Sequence, residues 1–179
     1  MSFRTRTHKT PGFRAISRFG QVPVLCHGRE ALVQAGAILE SQADLLCPFG
    51  GRETPERREI GEWLFWGTDR LGPPIYHSHA IKLGAMGLLP IEADPSVIAH
   101  HRDRATTALA ILGGRLSGRA CVVGDRLTIA DLACYRDARR SDIDTGGWPN
   151  SASWCGRIAE RPQVRPPLEL LPMADAEFD

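Results

Sequence analysis

Gly124-Asp125-Arg126-Leu127-Thr128-Ile129-Ala130-Asp131-Leu132-Ala133-Cys134-Tyr135 is the stretch that says most about the fold. A threonine followed three positions later by a carboxylate predicts a capping box. The Thr128 hydroxyl accepts from the N3 amide, and the Asp131 carboxylate reaches back to the cap amide. Leu127 before the cap and Leu132 at N4 fit a hydrophobic staple. The spacing predicts a helix from about Thr128 to Arg140, on which Asp137 reads as an ordinary surface position. Taken alone, the pattern says only that a helix starts here.

Helical spacing extends on both sides. A later helix is predicted from about Ser151 to Arg161, ending before Pro162. Upstream, Asp94-Pro95 is a cap followed by proline at the first helical position. Val97, His101, Ala105, Ala108, Leu112 and Leu116 follow at steps of three or four. Thr54-Pro55 repeats that start. Trp63, Leu64 and Trp66 continue the helix until Gly72-Pro73-Pro74, which is expected to break it; Ile75 to Leu88 is then helical again. The segment Cys47-Pro48-Phe49-Gly50-Gly51-Arg52-Glu53-Thr54-Pro55 carries the Pro and Gly of a linker. Before it, Gln21–Leu25 and Ala31–Val33 flank a His27-Gly28 turn and predict a small hairpin. Pro23 inside a strand belongs at an edge, a bulge or a binding surface. Ala35, Ile38, Leu39, Ala43 and Leu46 place a helix from Gln34 to Leu46 on that hairpin. The order is a short β/α piece followed by four to five helices, an α+β class.

The 179 residues are 42% apolar and 24% charged, which excludes collagen, low-complexity disorder and a long coiled coil. No apolar run is long enough to cross a bilayer. Met1 to Arg18 has no apolar core of a secretory signal, and Pro11 and Gly12 interrupt any amphipathic transit helix there. A formal charge of +1 gives no general attraction to nucleic acid or anionic lipid. Arginine outnumbers lysine 20 to 2, but no basic cluster with interleaved aromatics appears. Nucleic acid and membrane are therefore not expected partners. The five cysteines are odd in number and none forms a C-x-x-C pair, so neither a disulfide framework nor a zinc ribbon is expected. Reduced, mostly buried cysteines in a cytoplasmic protein are the expectation.

Four segments, in order, resemble the glutathione S-transferase family in its bacterial, theta- and phi-like form. Thr7-His8-Lys9-Thr10-Pro11-Gly12-Phe13-Arg14-Ala15-Ile16 resembles the segment around the family's second helix. Phe19-Gly20-Gln21-Val22-Pro23-Val24-Leu25 resembles the strand that carries its cis-proline. The Thr128–Asp131 box resembles the buried structural cap of its C-terminal domain. Trp148 to Trp154 with Arg157 to Pro162 resembles a late helix of that domain. The resemblance implies a thioredoxin-like glutathione-binding domain in residues 1–46, a linker in 47–54 and an all-helical C-terminal domain in 55–179. The family's first strand, first helix and most of its second strand have no counterpart before Thr7, which implies an N-terminally shortened member. Its catalytic Ser, Tyr or Cys lies in that part, so no catalytic residue is assigned.

The binding residues are implied partly by the same resemblance. Val22, before Pro23, matches the residue whose backbone pairs with the cysteinyl part of glutathione, and a cis bond there would turn its amide and carbonyl outward. Gln21 matches a side contact to the tripeptide. His8 and Lys9 match positions that hold the glycyl carboxylate in some classes; without the family they read as a basic N-terminal end. Gln34-Ala35 matches a Glu-Ser or Gln-Ser pair at a helix start, where a serine hydroxyl and the helix N-terminus receive the γ-glutamyl carboxylate. Ala35 has no hydroxyl. The implied activity is transfer of the glutathione thiolate to a small electrophile, a detoxification chemistry, weakened or lost here. Glutathione is the co-substrate, no other cofactor is expected, and a homodimer is the assembly the family allows. The competing expectation is a non-catalytic interaction or scaffold protein that uses the helical domain as a dimer surface.

Other polar clusters point to little. Neighbours on a helix point ~100° apart, so His100 and His101 do not share a face. Nothing completes a ligand set for His77 and His79, and no metal is expected. Cys26 and His27 would point to opposite faces of a strand. Trp63, Trp66, Trp148 and Trp154 read as core.

Overall fold

A hairpin organises the first part of the chain. Strands β1 (Val24–His27) and β2 (Glu30–Val33) pair antiparallel, with Val24 opposite Val33 and His27 opposite Glu30. The loop between them has Gly28 at φ +60°, a value that favours glycine. The computed structural model describes residues 6–46, 49–85, 92–141 and 147–165, which fall into two units dividing at position 49. In the first, a 3-10 turn (Thr7–Lys9) leads into the short helix α1 (Pro11–Ile16). Thr10 caps α1, its hydroxyl oxygen accepting from Phe13 N–H at 3.4 Å, and Pro11 occupies the first turn. Pro11 therefore opens a helix here instead of interrupting one. Helix α2 (Ala35–Leu46) contacts both strands. Pro23 lies just before β1, not within it, so no ladder bond is lost. The core of this unit is thin: Phe13, Val33 and Ala43 are its buried hydrophobic side chains among the described residues.

The second unit is helical. Helix α3 (Thr54–Trp66) passes without a break through a π-helical turn (Gly67–Leu71) into α4 (Gly72–Ala85). The expected break at Gly72-Pro73-Pro74 does not occur. Gly72 N–H donates to the Gly67 carbonyl, one residue further back than in an α-helix. That widened turn receives the prolines at the start of α4, where a missing N–H costs least. Gly72 itself must be small, because a Cβ would stand 2.9 Å from Asp137 Oδ2. At the other end, the N-cap of α3 is Glu53, which makes no side-chain cap bond, and Thr54 is already helical; the cap predicted at Thr54 is one residue late. The predicted end of α4 at Leu88 and the linker residues Cys47 and Pro48 lie outside the described residues.

Helix α5 (Pro95–Arg115) starts as expected, with Asp94 accepting from Ser96 N–H at 2.8 Å. Helices α6 (Ile129–Arg140) and α7 (Pro149–Ala159) complete the unit. Leu64, Leu71, Leu109, Leu112, Val122, Val123 and Trp154 are almost fully buried and form the core. Gly113 lets α7 approach α5, since a Cβ there would meet Trp148 and Ser151 at 3.2 and 3.3 Å. Of the four tryptophans, Trp154 is completely buried, while Trp63 and Trp66 are half-buried and pack edge to face at 5.0 Å.

The centre of the unit is the Asp131 carboxylate, which is 0% exposed. The capping box forms with Thr128. One carboxylate oxygen accepts from Thr128 N–H at 3.0 Å and from its hydroxyl at 3.1 Å. The other accepts from Val122 N–H at 2.8 Å and from the Trp154 indole N–H at 3.0 Å. The residue therefore ties the start of α6 to the preceding loop and to α7. Asp137 is not a surface position. It is 7% exposed and holds the Arg136 guanidinium through two hydrogen bonds of 3.0 and 2.8 Å.

Candidate functional site

The first unit brings together most of the residues singled out for glutathione. The Val22–Pro23 peptide bond is cis. Val22 is 44% exposed, and no hydrogen bond to its N–H or carbonyl is found among the described residues. Its neighbour Gln21 is held from below by Ser17, a fully buried residue whose hydroxyl donates to the Gln21 carbonyl at 2.8 Å and accepts from Gln21 N–H at 3.2 Å. Gly20, at φ +58°, makes the turn into this segment. Ser17 was not singled out in the sequence; a serine four residues before a glutamine carries no recognisable signal.

Gln34 lies between β2 and α2 with φ +76°. Its carbonyl accepts from Ile38 N–H at 3.0 Å, so it is the residue that starts α2, and Ala35 is the first residue of the helix. The Gln34 side-chain amide reaches Gln21 Oε1 at 3.4 Å. The two glutamines, the Val22 backbone and the N-terminus of α2 thus share one end of the hairpin. The first amides of a helix have no partner within it and attract an anion, but position 35 adds no side-chain donor to them.

His8 and Lys9 form part of the 3-10 turn and are not a frayed end. The Lys9 ammonium donates to the Gly20 carbonyl at 2.8 Å, across the turn that precedes Gln21. Lys9 is therefore placed beside the same segment, with its charge already engaged. Thr128 and Asp131 belong to the second unit and serve its architecture, as described above. Among the described residues no cluster of three or more His, Cys, Asp or Glu side chains could hold a metal ion.

The described cysteines are unpaired: Cys26 is exposed on β1, Cys121 and Cys134 are buried, and Cys155 is half-buried. Burial pushes the thiols of Cys121 and Cys134 up, and that of Cys155 up to about 11, the direction opposite to a reactive thiolate. Among the described residues, no helix is long and apolar enough to cross a membrane.

Comparison with known proteins finds glutathione S-transferases and their relatives. Residues 76–162 match the family described as the glutathione S-transferase C-terminal domain. The Escherichia coli disulfide-bond oxidoreductase YfcG is 27% identical, over 94% of this chain and 81% of its own length. A glutathione S-transferase structure from Xanthobacter autotrophicus superposes with a TM-score of 0.79 at 28% identity, covering 92% of this chain and 82% of that one. A glutathione transferase family member from Pseudomonas fluorescens, solved with two glutathione molecules bound, gives 0.78 at 26% identity, covering 90% of this chain and 76% of that one.

Proposed function

From the premise that this chain belongs to the glutathione S-transferase family, we propose that its first unit binds glutathione weakly and conjugates it slowly or not at all. One observation carries the reading. The fold gathers the unbonded Val22 backbone, Gln21, Gln34 and the N-terminus of α2 at one place, yet position 35 is alanine. The peptide edge and the helix amides suit the cysteinyl backbone and the γ-glutamyl carboxylate. A missing hydroxyl removes one hydrogen bond to a charged group, worth about 1.5–3 kcal/mol. Conjugation also needs a donor beside the thiolate. The described residues of this unit include no tyrosine, and the hydroxyls of Thr10 and Ser17 are engaged with their own backbone. In the same reading residues 1–46 are the glutathione domain, 47–54 the linker and 55–179 the helical domain. A small electrophile is the second substrate, a pair of chains the assembly, and the cytoplasm the compartment.

The test is calorimetric titration of glutathione into the full chain, with a steady-state assay on an aryl halide. The expected dissociation constant is millimolar or weaker, only about −4 kcal/mol, with turnover near the uncatalysed rate. Ala35→Ser should tighten binding about tenfold and leave turnover unchanged. Micromolar binding or clear turnover by the unmodified chain overturns the reading.

A further inference from the structure

Every backbone polar group of Gly20 and Gln21 is held by the first unit itself. Gly20 N–H donates to the Ser17 carbonyl at 2.7 Å, and the Gly20 carbonyl accepts from the Lys9 ammonium at 2.8 Å. The N–H and the carbonyl of Gln21 both meet the Ser17 hydroxyl. Ser17 is in turn the C-cap of α1, its N–H donating to the Phe13 carbonyl at 2.8 Å, and Phe13 belongs to the small core of the unit. This bonding stops at Val22, where no hydrogen bond to the N–H or carbonyl is found among the described residues.

Two residues from different turns therefore fix the chain just before its open peptide edge. Ser17 holds it from the end of α1, and Lys9 holds it from the 3-10 turn. An edge ordered in advance spares a ligand the entropy of ordering it. Family resemblance gives Lys9 a different task, holding the glycyl carboxylate of glutathione. Its surroundings favour the first task. Lys9 is exposed, and an exposed ion pair is weakened by water and salt. Its bond to the Gly20 carbonyl is short, charge-assisted and part-buried.

We propose that Ser17 and Lys9 are positioning residues of the glutathione site. They fix the Gly20–Gln21 backbone so that the Val22 peptide edge meets the cysteinyl part of the ligand, and Lys9 acts through the Gly20 carbonyl instead of on the glycyl carboxylate. The proposal rests on the glutathione reading and adds that the contribution of Lys9 is blind to the charge at the ligand's glycyl end.

Glutathione and its glycyl monoethyl ester, which has no glycyl carboxylate, are titrated into the full chain by NMR, a method that reaches millimolar affinities. Lys9→Met keeps the length of the side chain and removes its donor. It should weaken both ligands by the same factor, about three- to tenfold, the worth of one hydrogen bond. Ser17→Ala should weaken both at least as much, because it strips two bonds from Gln21. Lys9→Arg, which keeps a charged donor, should retain the parent's affinity for both. Arg29→Met, at an exposed cation of the hairpin loop, should change neither. Amide exchange over residues 95–140 equal to that of the parent establishes that each variant folds. Faster exchange over residues 18–25 in Lys9→Met and Ser17→Ala reads the loosened backbone directly. Absence of glutathione binding by the parent defeats the glutathione reading and the proposal with it, before any variant is measured. Where the parent binds, a Lys9→Met loss confined to glutathione and absent with the ester makes Lys9 a ligand and overturns the proposal. Undiminished affinity in either Lys9→Met or Ser17→Ala, or unchanged exchange over residues 18–25, overturns it too.

Discussion

Replacing Asp131 by alanine tests the architecture at its centre. The carboxylate is 0% exposed and accepts four hydrogen bonds, from Val122 N–H, Trp154 Nε1 and both the amide and the hydroxyl of Thr128. The Thr128 hydroxyl can turn to another acceptor, but three buried N–H groups would be left without partners. Each bond to a charged acceptor is worth about 1.5–3 kcal/mol. Neighbouring bonds are not additive, and removal also relieves several kcal/mol of carboxylate desolvation. The expected net loss is about 3–5 kcal/mol, a large part of the ~5–15 kcal/mol that holds a domain together. Urea unfolding followed by tryptophan fluorescence reads it. With a slope of ~1–3 kcal/mol/M, the midpoint should fall by roughly 2 M. Asp103→Ala, at an exposed position on α5, is the control. Trp154→Phe should cost less in the Asp131→Ala background than alone, because its donor has then already lost its acceptor. An unfolding free energy for Asp131→Ala within about 0.5 kcal/mol of the control would refute the reasoning.

Two further outcomes follow from the same structure. Amides of residues 6–46 should exchange with solvent faster than those of 95–140, because Phe13, Val33 and Ala43 give the first unit little buried apolar surface and a two-stranded sheet is marginal in water; equal protection measured by mass spectrometry would contradict this. His101 has its pKa lowered from 6.5 by desolvation and by His77, His100 and Arg104, so between that lowered value and 6.5 the unfolded chain binds the proton that the folded chain refuses. Stability should therefore be full above about pH 6.5 and fall below it, and His101→Gln should flatten that slope in urea titrations at pH 5 and pH 7.5; an unchanged slope would remove His101 as its source.

How much of this was legible in the sequence depends on how far apart the partners lie. The capping box needs residues three positions apart, and its spacing alone placed the start of α6. The same local reasoning would assign Asp131 only the ~1–2 kcal/mol of a cap. Its other two donors, nine positions before it and 23 after it, are invisible to periodicity. Asp137 shows the reverse error. Its helix position suggests solvent, but Gly72, from another helix, closes over it. Pro73-Pro74 signals a break by a rule that assumes i−4 bonding, and the π turn between Gly67 and Leu71 changes that assumption locally.

At the candidate site the same division holds. The cis Val22–Pro23 bond follows from family resemblance, which supplies long-range information that propensity lacks, whereas helical spacing alone places the start of α2 at Gln34-Ala35. The resemblance did not supply Ser17, because its role is to hold a backbone segment, not to touch a ligand. Nor could spacing bring His77 against His101, stacked at 4.7 Å from α4 and α5. That pairing belongs to helix packing, and helix packing is where this chain carries the features its local patterns do not announce.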